Sequence, residues 1–485
     1  MMDAKSCKEV GAYYTPDEIA VSLVRWAVRS HTDRMLDPAC GDGRFLALHR
    51  RSAGVEQDPE AMTTATSQAP WAMIHEGDFF KWAAETKERF ECAAGNPPFI
   101  RYQRFTGDFR QRAITLCKRL GANFSGLTSS WAPFLVATAS LLKRGGRMAF
   151  VVPAEIGHAP YAVPLLSYLS GNFSRLQLVA VRRKIFTELS EDCWLLYADR
   201  YGGRTDYFEL IPVERFASSS RPPKGGEQVS TREWKDWNYH LRPFLMRRNV
   251  RSLYRELVDS PKTRRFGDIA DVGIGYVTGA NEFFHLRPSA ATEYGIPDRF
   301  LHPSVRNSRL LKAAAITPST VRRWIHDDQP VLLLRIRNGE SLPPSLHKYL
   351  TTPEAAAAKS GYKCRNRHPW YVVPDVSVPD AFLSYMTGDS PSLVANRAEC
   401  VCTNSVHAVK LKGNTSIGTL QQRWRDPLTT MSCEIEGHPL GGGMLKLEPR
   451  EAQRVAVPMT MSRSSQDRAL MHEGIETMRR WRHIG

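Results

Sequence analysis

The chain has no Cys-x-x-Cys pair, no hydrophobic run of membrane-spanning length, no internal repeat and no long low-complexity tract. Its nine cysteines (Cys7, Cys40, Cys92, Cys117, Cys193, Cys364, Cys400, Cys402 and Cys433) are scattered, which argues against a zinc ribbon and for reduced thiols in a reducing compartment. Cys364, Cys400, Cys402 and His407 follow no common metal-ligand spacing, so no metal is expected. The N-terminus lacks the basic, apolar, small-residue order of a leader, and with no span the expected location is the cytoplasm, with no membrane partner. Also missing are the three-glycine spacing of a dinucleotide site and the lysine of a phosphate loop.

What is present is ordinary in composition and uneven in charge. At 485 residues, 42% hydrophobic and 24% charged, the chain is long enough for two or three domains with proper cores. The net charge is +16. Residues 1–100 carry 11 Lys+Arg against 15 Asp+Glu, so the remaining residues hold a net +20. An acidic first segment on a basic body suits a cationic small ligand in the first and a polyanion on the second.

The most telling stretch is Asn96-Pro97-Pro98-Phe99. An exocyclic ring amine such as that of adenine is a poor nucleophile, because its lone pair is delocalised. The Asn96 side-chain carbonyl and the Pro97 main-chain carbonyl can each accept one N–H of such an amine and localise the lone pair. The prolines fix the peptide and bring no competing N–H. Phe99 offers a face for a base turned out of a duplex. The small apolar run Phe90–Gly95 just before it reads as a buried parallel strand, whose carboxyl end would line a binding crevice.

Upstream, Thr15 reads as an N-cap and Pro16 as the first helical residue, with Ile19, Leu23, Trp26 and Ala27 at helical spacing. Asp37-Pro38-Ala39-Cys40-Gly41-Asp42-Gly43 reads as strand end, carboxylate and glycine turn, leading into a helix to about Ala53. Asp37 and Asp42 put negative charge where a pyrophosphate would need the opposite, which suits a sulfonium amino acid. Glu56, nineteen residues after Asp37, is placed to accept ribose hydroxyls. A third strand over residues 71–75 leads to Asp78 and Phe79, set to hold and flank an adenine.

Downstream, a helix over 132–142 is expected to stop at Lys143-Arg144-Gly145-Gly146. Strands over 147–152, 176–181 and 194–198 complete a seven-stranded, Rossmann-like α/β sheet with helices on both faces. The fold class is thus α/β followed by a mixed α+β C-terminal domain, with boundaries at 1–216, a breaker-rich linker at 217–228, and 229–485. Strand-like runs are expected at 271–284, 330–336, 371–374 and 406–411. Basic and aromatic residues interleave at Arg322-Arg323-Trp324 and from Tyr362 through Lys363, Arg365 and Arg367 to Tyr371, as phosphate and base contacts require.

In order and spacing, Tyr14-Thr15-Pro16, the Asp37 to Leu46 stretch, Glu56, Gly77-Asp78-Phe79 and Asn96-Pro97-Pro98-Phe99 resemble the motifs of S-adenosylmethionine-dependent DNA adenine-N6 methyltransferases of the gamma class, the TaqI-like modification enzymes of restriction-modification systems. The likeness covers about residues 10–200. Residues 273–284 and 441–449 resemble, less specifically, recognition-domain signatures of the same enzymes. The resemblance implies S-adenosylmethionine held by Thr15, Asp37, Ala39, Gly41, Gly43, Glu56, Asp78 and Phe79. It also implies a catalytic Asn96-Pro97-Pro98-Phe99, base stacking by Phe99 with Phe186 on the far side, and duplex DNA as partner. The motif here ends in Phe where Tyr is commoner, which keeps the stacking face and loses a hydroxyl. About ten residues precede the first motif, so any cognate restriction endonuclease is expected on a separate chain, and Glu85-Thr86-Lys87 is read as a chance likeness to a nuclease. The same device serves cytosine N4, RNA adenine and protein glutamine, and a catalytically silent DNA-binding subunit would keep the fold.

Overall fold

The computed structural model describes residues 15–186, 191–461 and 463–484. The chain divides into two compact units, Met1–Leu245 and Met246–Gly485.

The first unit is built on one nine-stranded sheet. Its strands are β1 (Met35–Asp37), β2 (Ser52–Glu56), β3 (Met73–Glu76), β4 (Phe90–Gly95), β5 (Leu142–Pro153), β6 (Phe173–Val181), β7 (Cys193–Tyr201), β8 (Tyr207–Val213) and β9 (Glu227–Ser230). They lie in the order β3-β2-β1-β4-β5-β7-β6-β8-β9. Strands β1 to β5 run parallel and β7 is antiparallel to both its neighbours. The helices are α1 (Asp17–Ala27), α2 (Pro59–Gln68), α3 (Phe79–Glu85), α4 (Gly107–Arg119), α5 (Trp131–Ser140), α6 (Ala162–Asn172) and α7 (Thr231–Asp236). Ile19, Leu23, Trp26 and Ala27 bury one face of α1 in a core with Cys92, Ala94, Ala149 and Val151 of β4 and β5. Both faces of the central strands are covered, so their small apolar residues are buried without alternation.

Strand order reverses between β1 and β4, and a crevice opens at the carboxyl ends of strands at such a point. The ends of β1, β2 and β4 carry Asp37, Glu56 and Gly95-Asn96. A Cβ at Gly95 would lie 2.6 Å from Asp37 Oδ1. Only a glycine lets the two strand ends come so close.

The sheet departs from the expected seven strands because β8 and β9 extend it. Residues 217–228 are therefore not an interdomain linker. Ser218 and Ser219 bond to Ser22 on α1, and the segment feeds β9, which pairs antiparallel with β8. The division between units falls instead after Leu245. Helix α1 starts at Asp17 with Pro16, not Thr15, in the cap position. No α-helix follows the glycine turn to Ala53; a 3-10 turn at Leu46–Leu48 precedes β2. Lys143 to Gly146 do not end a helix either. Leu142 pairs with Phe90 and pairing resumes at Arg147 with Cys92, so these residues bulge out of β5 with Gly145 at φ +79°.

The second unit holds sheets of five, four, three and two strands, a mixed α+β arrangement. The five-stranded sheet runs Ala270–Ile274, Val406–Leu411, Ala381–Ser384, Leu393–Asn396, Ala315–Ile316. Of the expected runs, 406–411 is a strand throughout, 330–336 holds Leu332–Leu334, and 271–284 is a strand only to Ile274 before a short helix, Asn281–Phe284. Residues 371–374 form no strand. The buried Arg482 guanidinium pairs with Glu434 at 2.7 Å and donates to the carbonyls of Gly388 and Gly443. This fastens the chain after the C-terminal helix Ser465–Arg480 to the triple-glycine loop.

Substituting Gly95→Ala should cost about 1–3 kcal/mol through overpacking against Asp37. It should lower the melting temperature of the first unit and weaken cofactor binding together, as read by thermal unfolding with and without ligand. An unchanged melting profile would show that the strand ends tolerate separation.

Candidate active site

A cleft opens where the strand order reverses, lined by Thr15, residues 37–42, Arg44, Phe45, Val55, Glu56, Gly77, Phe79, Asn96, Pro98, Phe109 and Phe134 among others. It gathers Thr15, Asp37, Ala39, Gly41, Glu56, Phe79, Asn96 and Pro98 of the expected residues. The other expected residues are placed as follows. Gly43 lies just behind the cleft, at φ +85°, where a Cβ would strike the Ala65 backbone at 2.7 Å; it shapes the turn by close approach to α2. Tyr14 lies outside the described residues.

Asp37 is 1% exposed. Burial above all pushes its carboxyl up to about 8, against the pull of the Ala39 N–H at 3.2 Å and with the help of the Glu56 and Asp42 charges. Glu56 is held differently: it accepts from the backbone N–H of Gly41 at 2.8 Å, Gln57 at 2.8 Å and Asp58 at 2.9 Å. Three main-chain donors fix its carboxylate at the cleft wall. Asp42 contributes less free charge than its position suggests, because Arg44 pairs with it at 2.7 Å. The Cys40 thiol, pushed up by burial and by Asp37, stays protonated.

Asp78 does not line the cleft. It caps α3 by accepting from the N–H groups of Phe80 and Lys81, and its second oxygen accepts from Arg112 Nε at 2.7 Å. Phe79 next to it does line the cleft and stacks on Phe134 at 5.0 Å and 9°. Pro97 is buried, while Phe99 is partly buried and packs on the same core cluster as Phe186, itself 8% exposed. The Pro98 to Ile100 main chain is held by Ser130 at the head of α5.

No sequence motif announced Phe109, Phe134, Arg112 or Ser130. Their only signal was a buried-looking Thr128-Ser129-Ser130 run ahead of an apolar helix, which reads as an ordinary cap.

The donor set fits an adenosyl sulfonium. Two carboxyl groups, Asp37 and Glu56, face the cleft, an aromatic pair lines one side, and the short 3-10 turn supplies no full helix N-terminus of the kind that draws a pyrophosphate. Asp37, Glu56 and Phe79 would hold the cofactor's cationic, ribose and adenine parts.

In the second unit, the Gly273–Phe284 and Tyr362–Tyr371 stretches come together. A Cβ at Gly279 would lie 2.5 Å from Lys363 Cβ. Arg367, expected to contact DNA, instead donates to the carbonyls of Thr278 at 2.6 Å and Val277, and so braces the loop. Lys363 and Arg365 are exposed, with the Arg365 guanidinium over Tyr362 at 5.4 Å. Arg322 and Arg323 are exposed on the helix Pro318–His326, which turns Val321 and Trp324 inward. His407 Nε2 bonds the Leu447 carbonyl at 2.6 Å, and Cys364, Cys400 and Cys402 are buried.

Comparison with known proteins gives the chain's family. The family model for the C-terminal domain of the type II methyltransferase M.Eco57I matches residues 238–484, the Eco57I restriction-modification methylase model residues 49–186 and the N-6 DNA methylase model residues 1–69. The chain belongs to the type II DNA methyltransferases of restriction-modification systems, and its methyl donor is S-adenosylmethionine. It is 23% identical over 474 residues to the type II methyltransferase M.XamI of Xanthomonas campestris pv. amaranthicola, covering 92% of this chain and 85% of that protein. It is 20% identical over 474 residues, with the same coverage, to M.AccI of Acinetobacter calcoaceticus. To M.TthHB8I of Thermus thermophilus it is 31% identical over 163 residues, 31% of this chain and 36% of that one.

A carboxyl raised in the fold is stable protonated, so its contribution is full below its unfolded value and is lost as pH rises towards about 8. Asp37→Asn removes that loss. The variant without ligand should gain melting temperature over the native chain as pH goes from about 5 to about 8, while its affinity for S-adenosylmethionine collapses. A difference that is flat with pH would mean that Asp37 ionises in the fold at its ordinary value.

Proposed function

We propose that the chain transfers a methyl group from S-adenosylmethionine to the N6 amine of an adenine turned out of duplex DNA at a short specific site. In this reading it is the modification half of a restriction-modification system, working in the cytoplasm with any cognate endonuclease on a separate chain. One observation carries the reading: Asn96 and Pro98 line the same cleft as Asp37, Glu56 and Phe79.

When bound, S-adenosylmethionine supplies an electrophilic methyl group on sulfur. The protein's part is to hold and orient. The Asn96 side-chain carbonyl and the Pro97 main-chain carbonyl accept the two amine hydrogens and localise the nitrogen lone pair. Phe99 packs against the face of the extruded base, and Phe186, in the same apolar cluster, backs that packing from the core. Asp78, outside the cleft, caps the helix that carries Phe79 and pairs with Arg112, and so keeps Phe79 in place for the adenine. In the second unit, Lys363, Arg365, Arg322 and Arg323 are exposed and serve as phosphate and base contacts, while Arg367 keeps the Val277–Thr278 loop in shape behind them.

Modification-sensitive sequencing of DNA from cells expressing the native chain or Asn96→Ala should show N6-methyladenine in one sequence context with the native chain only. Methylation of cytosine N4, or of RNA or protein instead, would replace the adenine assignment. The Asn96→Ala protein should still bind S-adenosylmethionine within about threefold, since the lost carbonyl serves the acceptor and not the donor; loss of both would refute that division. DNA affinity should fall steeply with salt, by roughly 10³-fold or more between about 50 and 200 mM if at least six phosphates are neutralised. A flat response in a binding titration would remove the basic surface from the argument.

A further inference from the structure

Ser130 occupies the cap position of α5, where a serine ordinarily turns its oxygen onto the N–H groups of its own first turn. It makes no such bond. Its hydroxyl donates instead to the Pro98 carbonyl and accepts from the Ile100 N–H at 2.9 Å. Its own N–H donates to the Ile100 carbonyl at 3.0 Å. The residue is 0% exposed, so no water competes for these bonds. Giving up a cap costs about 1 kcal/mol, and what is gained is a clamp on a segment poor in anchors: Pro97 and Pro98 have no N–H to donate.

The clamp is itself fixed. Trp131 Nε1 donates to the Glu155 carboxylate at 3.0 Å and to the Tyr161 hydroxyl at 3.3 Å, and Tyr161 bonds Ser129 Oγ at 3.2 Å. Glu155 lies two residues beyond the end of β5, the sheet neighbour of β4. The head of α5 and the end of β4 are thus tied to the same part of the sheet, and Ser130 spans from one to the other.

We propose, resting on the function proposed above, that Ser130 is a positioning residue for methyl transfer: its hydroxyl sets the Pro98–Ile100 main chain so that the carbonyls of Asn96 and Pro97 converge on one amine. A misplacement of about 1 Å in such a constellation costs about 100-fold in rate. An interaction that matters only in the transition state lowers kcat and leaves binding alone.

The test uses the full-length protein, unmethylated plasmid DNA carrying the sequence context that the sequencing experiment identifies, and tritiated S-adenosylmethionine. Ser130→Ala should lower kcat by about 10- to 100-fold while KM for DNA and affinity for S-adenosylmethionine, measured by calorimetry, stay within about twofold. Ser130→Thr, which keeps the hydroxyl, should recover most of the rate. Native kcat in Ser130→Ala, or a loss confined to KM or to cofactor affinity, overturns the proposal. Should Ser130→Ala fail to fold, Ser130→Thr decides: a folded, cofactor-binding protein with near-native kcat supports the clamp, and one slowed by 10-fold or more overturns it. A native chain that transfers no methyl group overturns the proposed function and takes this proposal with it, whereas an active native chain with an indifferent Ser130 overturns this proposal alone.

Discussion

The approach of Asp37 to the backbone of Gly95 is the constraint on which the first unit turns. Two parallel strands that are neighbours in space and far apart in sequence end side by side, and a carboxylate fills the space that a side chain at Gly95 would have taken. A buried carboxyl is unfavourable when charged and unpartnered. Burial pushes this one up to about 8, so it is tolerated in its protonated form. The same contact places Asn96 one residue beyond the close approach, so Asp37 and Asn96 reach the cleft from one hinge of backbone.

The polar groups around that hinge are fixed by main chain more than by side chains. Glu56 is fixed by three N–H donors and Asp37 by one. Such donors cannot swing away, so the cleft presents its charges preorganised, the arrangement that makes electrostatic stabilisation effective. Asp42 and Asp78, by contrast, are taken up by Arg44 and Arg112. Four acidic residues that look alike in a linear motif therefore divide into two held by main-chain donors and two paired with arginine.

Much of this was legible in the sequence. Strands that are mostly apolar or small, such as Phe90–Gly95, were readable because burial on both faces leaves a simple pattern. The cleft was readable because its residues sit at strand ends in a fixed order. What was not readable depended on distant partners. Lys143 to Gly146 have the composition of a helix stop, and only pairing on either side of them with β4 makes them a bulge. Arg367 has the composition of a phosphate contact, and only the nearness of Thr278 gives it a carbonyl to hold. Ser130 has the composition of a cap, and only the proline-rich segment lying across it shows what else its hydroxyl can do.

The two strands that follow β7 bear on how the molecule can be taken apart. Residues 217–228 look like the natural place to cut, being rich in serine, proline and glycine. A cut there would strip β9 from β8 and leave β8 as a bare edge with unpaired N–H and C=O groups, an invitation to intermolecular pairing. The catalytic half ends, in the sense that matters to a protein chemist, after Leu245. A crossover that exchanges the second unit keeps this sheet whole only if it falls beyond β9.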